Sequence, residues 1–254
     1  MVINQDQKSI ADRLISALQE NEFVLYAQRI LPAAAQPDEW PFQEIFVRFK
    51  EEDAKLLPPG TFFPLLEECR LLPYLDRWVV NRLARWVRSG LAIKRDWKVP
   101  RSNVNLASAT LLDPEFGRYT RKYVDDSYLS NGLLAFEIAW HDVVAHAEPL
   151  QRLIEELRPY GCGFTLAGFD GGKASYAVLE TLVPDFIKLS VSITGDIDTV
   201  PSHAHKLAEI STRCALLKIK TIVEQVENPV ILQRLRQTKI DFVQGYGVAE
   251  VKIL

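Results

Sequence analysis

The chain has 254 residues, 48% hydrophobic and 25% charged, enough for one barrel or two small domains around a large core. Thirty Lys and Arg against 33 Asp and Glu give a formal net charge of −3, which argues against a nucleic-acid polymer as partner and makes any anion site a local one. No apolar run approaches the roughly 20 residues of a membrane span, and the segment after Met1 is polar. No membrane segment is expected, and the cytoplasm is the expected compartment.

Ser9, ahead of Ile10, Leu14 and Leu18, predicts an amphipathic leading helix with a serine cap within residues 1–21. An extended run from Phe23 to Leu31 follows, then a strand from Glu44 to Phe49. A helical region from about Phe62 to Ser89, interrupted at Pro73, is closed by Gly90. Asn103 to Leu106 reads as a strand. Asp113-Pro114 and Asn228-Pro229 each place a capping side chain before a proline at the first helical position. Further strands are predicted at Leu133–Ile138, Gly163–Leu166, Phe186–Leu189, Ile219–Val223 and Asp241–Val243, with helical segments between them. This rhythm, with no linker-like tract, favours one closed α/β barrel spanning residues 1–254 over an open doubly wound sheet. No Gly-x-Gly-x-x-Gly or Walker-type loop follows the first strand.

Cys69, Cys162 and Cys214 are odd in number and widely spaced, so they read as core thiols rather than a disulfide framework or zinc knuckle. His203 and His205 do not share a helical face and read as surface residues.

A barrel's chemistry sits where its strands end, so polar residues punctuating apolar strands carry the information. Here these are Glu44 and Arg48, Asn105, Glu137, Lys188, Glu224 and Gln244. Carboxylates and an amide converging at one mouth could hold a hard cation, with Lys and Arg meeting phosphate oxygens. Taken singly, each reads as a rim ion pair or a satisfied polar plug of the barrel.

The residues themselves carry a resemblance. Glu44-Ile-Phe-Val-Arg48-Phe49 resembles the Glu-Ala-Leu-Leu-Arg-Trp signature of EAL phosphodiesterases, and Val104-Asn105-Leu106-Ala107 resembles Val-Asn-Leu-Ser. Phe136-Glu137-Ile138-Ala139-Trp140 resembles Leu-Glu-Ile-Thr-Glu, and Ile187-Lys188-Leu189-Ser190 resembles Leu-Lys-Ile-Asp. Val223-Glu224-Gln225-Val226-Glu227 resembles Ala-Glu-Gly-Val-Glu, and Gln244-Gly245-Tyr246 matches Gln-Gly-Tyr. Tyr26-Ala27-Gln28-Arg29-Ile30 is similar to the early Tyr-Gln-Pro-Ile segment. The resemblance spans residues 22–251 and implies a TIM-like (β/α)8 barrel of the EAL type that handles cyclic di-GMP.

It also implies roles. Glu44, Asn105 and Glu137 would bind Mg2+ or Mn2+ in active relatives, Lys188 and Glu224 would serve the chemistry, Arg48 would meet phosphate, and Gln28 and Glu67 would approach guanine. In active members an Asp-Asp-Phe-Gly-Thr-Gly loop supplies two further acids. Here Ala167 and Gly168 stand in their place, Trp140 replaces a loop-steadying glutamate and Ser190 replaces the acid after the lysine. Asp170, three residues past Ala167, is not placed to substitute, because two-metal hydrolysis needs ligands fixed around cations about 3.5–4 Å apart. No metal cofactor is therefore expected, and Lys188 and Glu224 would be vestigial as catalytic groups.

Three functions remain open from sequence. One is a metal-independent cyclic di-GMP receptor, with Gln28, Glu44, Arg48, Glu67, Asn105, Glu137, Lys188, Glu224 and Gln244 lining the nucleotide site. Another is a protein-interaction module that has abandoned the nucleotide and holds an unidentified protein partner. A weakly active phosphodiesterase is the third. Arg29, at a usual proline position, and Arg70, at a usual glycine position, would obstruct the base pocket in the second case.

Overall fold

A computed structural model describes residues 5–34, 39–50, 56–57, 59–125, 129, 132–194 and 201–254. Ten strands form one sheet: β1 (Phe23–Pro32), β2 (Phe42–Lys50), β3 (Leu56–Leu57), β4 (Arg101–Asn105), β5 (Leu134–Ala139), β6 (Gly163–Phe169), β7 (Phe186–Leu189), β8 (Lys220–Val223), β9 (Phe242–Val243) and β10 (Val251–Ile253). The order β2-β4-β5-β6-β7-β8-β9 is parallel throughout, and β1 closes the ring by pairing antiparallel with both β2 and β9. The predicted barrel is therefore present, with one reversed strand. β10 adds to β1 from Tyr26 to Gln28, and β3 adds to the end of β2.

The helices are α1 (Gln5–Gln19), α2 (Pro59–Glu68), α3 (Leu72–Ile93), α4 (Ser108–Leu111), α5 (Phe116–Asp125), α6 (Trp140–Ala145), α7 (Ala147–Leu157), α8 (Lys173–Leu182), α9 (Val191–Thr194), α10 (Pro201–Leu216) and α11 (Pro229–Leu235). Alternation along each strand sends one set of side chains outward under these helices and the other into the barrel. Outward Phe23 packs against Phe49, Phe62 and Trp78. Inward Ile30, Phe42, Phe186, Ile222 and Phe242 form a separate apolar floor, with Arg101 stacked 5.2 Å from the Phe186 ring.

Several expectations need correction. Ser9 lies inside α1, which starts at Gln5, so it is not the cap. Gly90 does not close α3, which runs on to Ile93; the Trp97 ring lies so close to Gly90 that an added Cβ would sit 2.3 Å from it. Pro73 interrupts nothing, because it occupies the first turn of α3, where its missing N–H costs no hydrogen bond. The break falls at residues 69–71. There Arg70 N–H donates to the Glu67 carbonyl (2.9 Å) and Leu71 N–H to the Leu66 carbonyl (2.7 Å), a Schellman turn with Arg70 at φ 55°. Cys162 and Cys214 are buried thiols, but Cys69 is only half-buried, and His203 is half-buried with Nδ1 out of solvent rather than a surface residue.

The cap at Asn228-Pro229 is present, whereas Asp113-Pro114 forms a turn ahead of α5, which starts only at Phe116. Asn228 Oδ1 accepts the Ile231 N–H at 2.9 Å, and Asp113 Oδ1 accepts that of Glu115 at 3.0 Å. Among the described residues no helix is long and apolar enough to cross a membrane.

Candidate functional site

The strand alternation that builds the floor also stacks a polar layer above it. Glu44 on β2, Asn103 and Asn105 on β4, Glu137 on β5, Thr165 on β6 and Lys188 on β7 share the inward face, and Glu224 and Gln244 follow β8 and β9 directly. Lys188, fully buried, is the centre. Its Nζ donates to Glu44 Oε2 at 2.6 Å, lies 2.7 Å from Glu137 Oε2 and reaches Glu224 Oε2 at 3.6 Å.

One ammonium faces three carboxyl groups, and neutral amides complete the network. Asn105 Nδ2 donates to Glu44 Oε1 (2.7 Å), Gln244 Nε2 donates to Glu44 Oε2 (2.7 Å), and Asn103 Nδ2 donates to Glu137. Thr165 Oγ1 in turn donates to Asn103 Oδ1 at 3.0 Å, fixing that amide's orientation.

The charges follow from this geometry. Burial alone would raise the Glu44 carboxyl, but Lys188 beside it and the amide hydrogen bonds hold it below the usual range. Burial, then the Glu44 charge, pushes Glu137 up to about 8. Burial opposes the charge on Lys188, yet Glu137, Glu44 and Glu224 keep the ammonium protonated well above its ordinary range. Burial raises Glu224.

Of the other expected residues, Gln28 is buried in the same polar layer, across from Glu44. Its Nε2 donates to the Ala249 carbonyl at 2.9 Å and its Oε1 accepts from Gln244 at 3.0 Å. Glu67 is exposed on the last turn of α2. Arg48 shares the inward face of β2, with its guanidinium 6.0 Å from the Tyr26 ring and 5.9 Å from the Phe46 ring, and one N–H donated to the Val47 carbonyl. Arg29 is exposed on the outward face of β1, and Arg70 lines an outer groove, so neither lies in the barrel interior.

At the rewritten loop, Ala167 pairs with Lys188 across β6 and β7, and Gly168 falls in the register shift that follows, at φ 90°. Trp140 stands beside it, edge-on to Phe169 at 5.5 Å. Asp170 turns to the loop itself, accepting the Gly172 N–H (2.8 Å) and the Ser175 hydroxyl (2.7 Å), bonds that hold its carboxyl below the usual range. This donor set does not fit a pair of metal ions. The position between Glu44 and Glu137 is held by an ammonium, and positions 167 and 168 offer no side-chain oxygen. Among the described residues no group of three or more His, Cys, Asp or Glu side chains is arranged to hold a metal.

Asn103 and Thr165 escaped the sequence reading, although each lies two residues before a position already singled out, Asn105 and Ala167, and so on the same strand face.

An eight-stranded α/β barrel with one reversed strand and carboxylates gathered around a mouth lysine defines the structural class. A family model describing the EAL domain matches residues 11–250, and the chain belongs to the EAL domain family. It is 26% identical over 248 residues to the cyclic di-GMP phosphodiesterase PdeF of Escherichia coli K12, covering 97% of this chain and 32% of that protein. It is 29% identical over 238 residues to the cyclic di-GMP phosphodiesterase NbdA of Pseudomonas aeruginosa, covering 92% of this chain and 30% of that protein. The chain thus spans about a third of the length of these curated relatives. In fold it is similar to the FimX EAL domain of Xanthomonas citri, solved in complex with c-diGMP, with a TM-score of 0.87, 24% identity and coverage of 98% and 96% of the two chains.

Proposed function

We propose that this chain is a single EAL barrel domain of cyclic di-GMP signalling that acts as a receptor: it binds the nucleotide without metal and does not open it. The observation that carries this reading is Lys188 lodged between Glu44 and Glu137, with Ala167 and Gly168 beside it where the family's active members have acids. A hydrolytic centre needs a bound cation to lower the pKa of the attacking water. Here the fixed cation is an ammonium, and a buried ammonium does not do that work. Phosphate recognition falls to Arg48, whose fork suits paired oxygens and which uses one of its five N–H donors on its own strand.

Calorimetry with cyclic di-GMP tests the reading. Binding should be equal in EDTA and in Mg2+, and Arg48→Ala should weaken it by roughly 1.5–3 kcal/mol, the range of charge-assisted hydrogen bonds. Binding that demands Mg2+ would overturn it.

A second reading is favoured by Gln28, whose amide is engaged at both ends inside the barrel and is not presented to a base. If no binding appears at high-micromolar nucleotide in either buffer, the domain is instead a protein-interaction module. Linear dinucleotide formed at a slow but steady rate would make it a weak phosphodiesterase.

A further inference from the structure

On the outer surface, α1, the turn after α2, α3 and α5 enclose a groove of about 720 Å3. Ile15, Leu18, Tyr74, Trp78 and Tyr119 contribute apolar and aromatic walls, and Arg70 stands among them. None of the inward-facing barrel residues lines it, so it is separate from the mouth. The volume lies in the range of small-ligand sites, which combine apolar walls with a few convergent polar groups.

The walls are held by their own bonds. Arg77 is paired with Asp113 and lies 5.6 Å from the centre of the Tyr119 ring. The Tyr119 hydroxyl donates to the Arg77 carbonyl at 3.1 Å, and Asn81 Nδ2 donates to the Tyr123 hydroxyl at 2.6 Å. Arg70 differs, because it is exposed and forms no ion pair with any described residue. It also sits at φ 55° in the Schellman turn, a conformation that glycine adopts without steric cost and arginine does not. The two turn hydrogen bonds and buried Leu66 and Leu71 hold the backbone there regardless of the side chain.

We infer that this groove is a binding site for a small organic anion with a flat apolar body, and that Arg70 is its anion contact. A guanidinium with no ion pair to any described residue, set beside aromatic rings, selects that chemistry: the rings take the apolar body and the fork takes a carboxylate, sulfonate or phosphate. The same position explains why an arginine occupies a turn residue where glycine would relieve the backbone.

The test uses two dyes of matching shape, anionic 8-anilinonaphthalene-1-sulfonate and uncharged N-phenyl-1-naphthylamine, titrated against the full chain by fluorescence. The anionic dye should bind saturably at one site and more tightly than the neutral one. Arg70→Gly should melt at a higher temperature than the parent, bind the anionic dye about tenfold more weakly and bind the neutral dye unchanged. Tyr74→Ala, at an exposed wall position, should weaken both dyes. Unsaturable binding, an Arg70→Gly protein that keeps full affinity for the anionic dye, or a Tyr74→Ala protein that keeps both affinities overturns the proposal.

Discussion

Lys188 and Glu44 lie 144 positions apart in the chain and meet at 2.6 Å in the barrel interior. The pair is the hub on which the polar layer converges, and its burial makes it costly to break on one side only.

Lys188→Met should therefore cost about 3–5 kcal/mol, because Glu44, Glu137 and Glu224 would be left without their shared counter-ion. Urea unfolding measures this. Adding Glu137→Gln to that variant should recover part of the loss; a Lys188→Met protein as stable as the parent would show that the network contributes nothing.

Asp76 sets a pH dependence. It is buried on α3, and burial pushes its carboxyl from 3.8 up to about 6 against hydrogen bonds from the Thr110 hydroxyl (2.6 Å) and the Ala107 N–H (3.0 Å). The folded state thus holds this proton more tightly than the unfolded chain. Its contribution is full below about pH 4, falls as the pH rises through about 6 and is then lost, a difference of roughly 3 kcal/mol. Asp76→Asn keeps an oxygen acceptor and should stabilise the protein at pH 7.5 but not at pH 4. An equal gain at both pH values would contradict this origin.

Gly90→Ala would ordinarily stabilise a helix interior by about 1 kcal/mol. Here the new methyl would meet the Trp97 ring, and overpacking of that kind costs roughly 1–3 kcal/mol, so a net loss is expected. In a Trp97→Ala background the same substitution should become stabilising. Thermal melts of the four proteins decide the matter.

The purified domain should form no linear dinucleotide from cyclic di-GMP with Mg2+ or Mn2+, and Ala167→Asp alone should not change that, since groups acting as a unit are not restored singly. Gly168→Asp should in addition destabilise by roughly 1–3 kcal/mol because of the left-handed backbone at φ 90°. Chromatography of the nucleotide products is the check, and family-typical turnover in the unmodified domain would refute the expectation.

The barrel is legible because its parallel strands are short apolar runs spaced by helices; the strand expected at Phe186–Leu189 has those bounds in the structure. Val251–Ile253 and Leu56–Leu57 are not legible, since two or three residues carry too little periodicity to register as strands. Strand ends pointed to Glu44, Asn105, Glu137 and Lys188 individually. Their convergence on one ammonium depends on the closure of the ring, which no local pattern contains. The resemblance implies that Gln28 approaches a base; its bond to Gln244, 216 positions away, is again something no local pattern contains. Gly90 misleads because a terminal glycine and a glycine yielding space to an aromatic ring look alike in sequence.

The reversed direction of β1 fixes which end of the barrel α1 leads into. Phe23 pairs with Phe49, so β1 begins at the mouth end of β2 and descends toward the floor. The connection from α1 into the barrel therefore sits at the rim beside the strand ends, and α1 is anchored through buried Leu14 and Ala17. A tilt of α1 would act as a short lever on the mouth before anything reached the floor, and strain applied there would be relayed along β1 to Gln28 and, through Gln244, to Glu44.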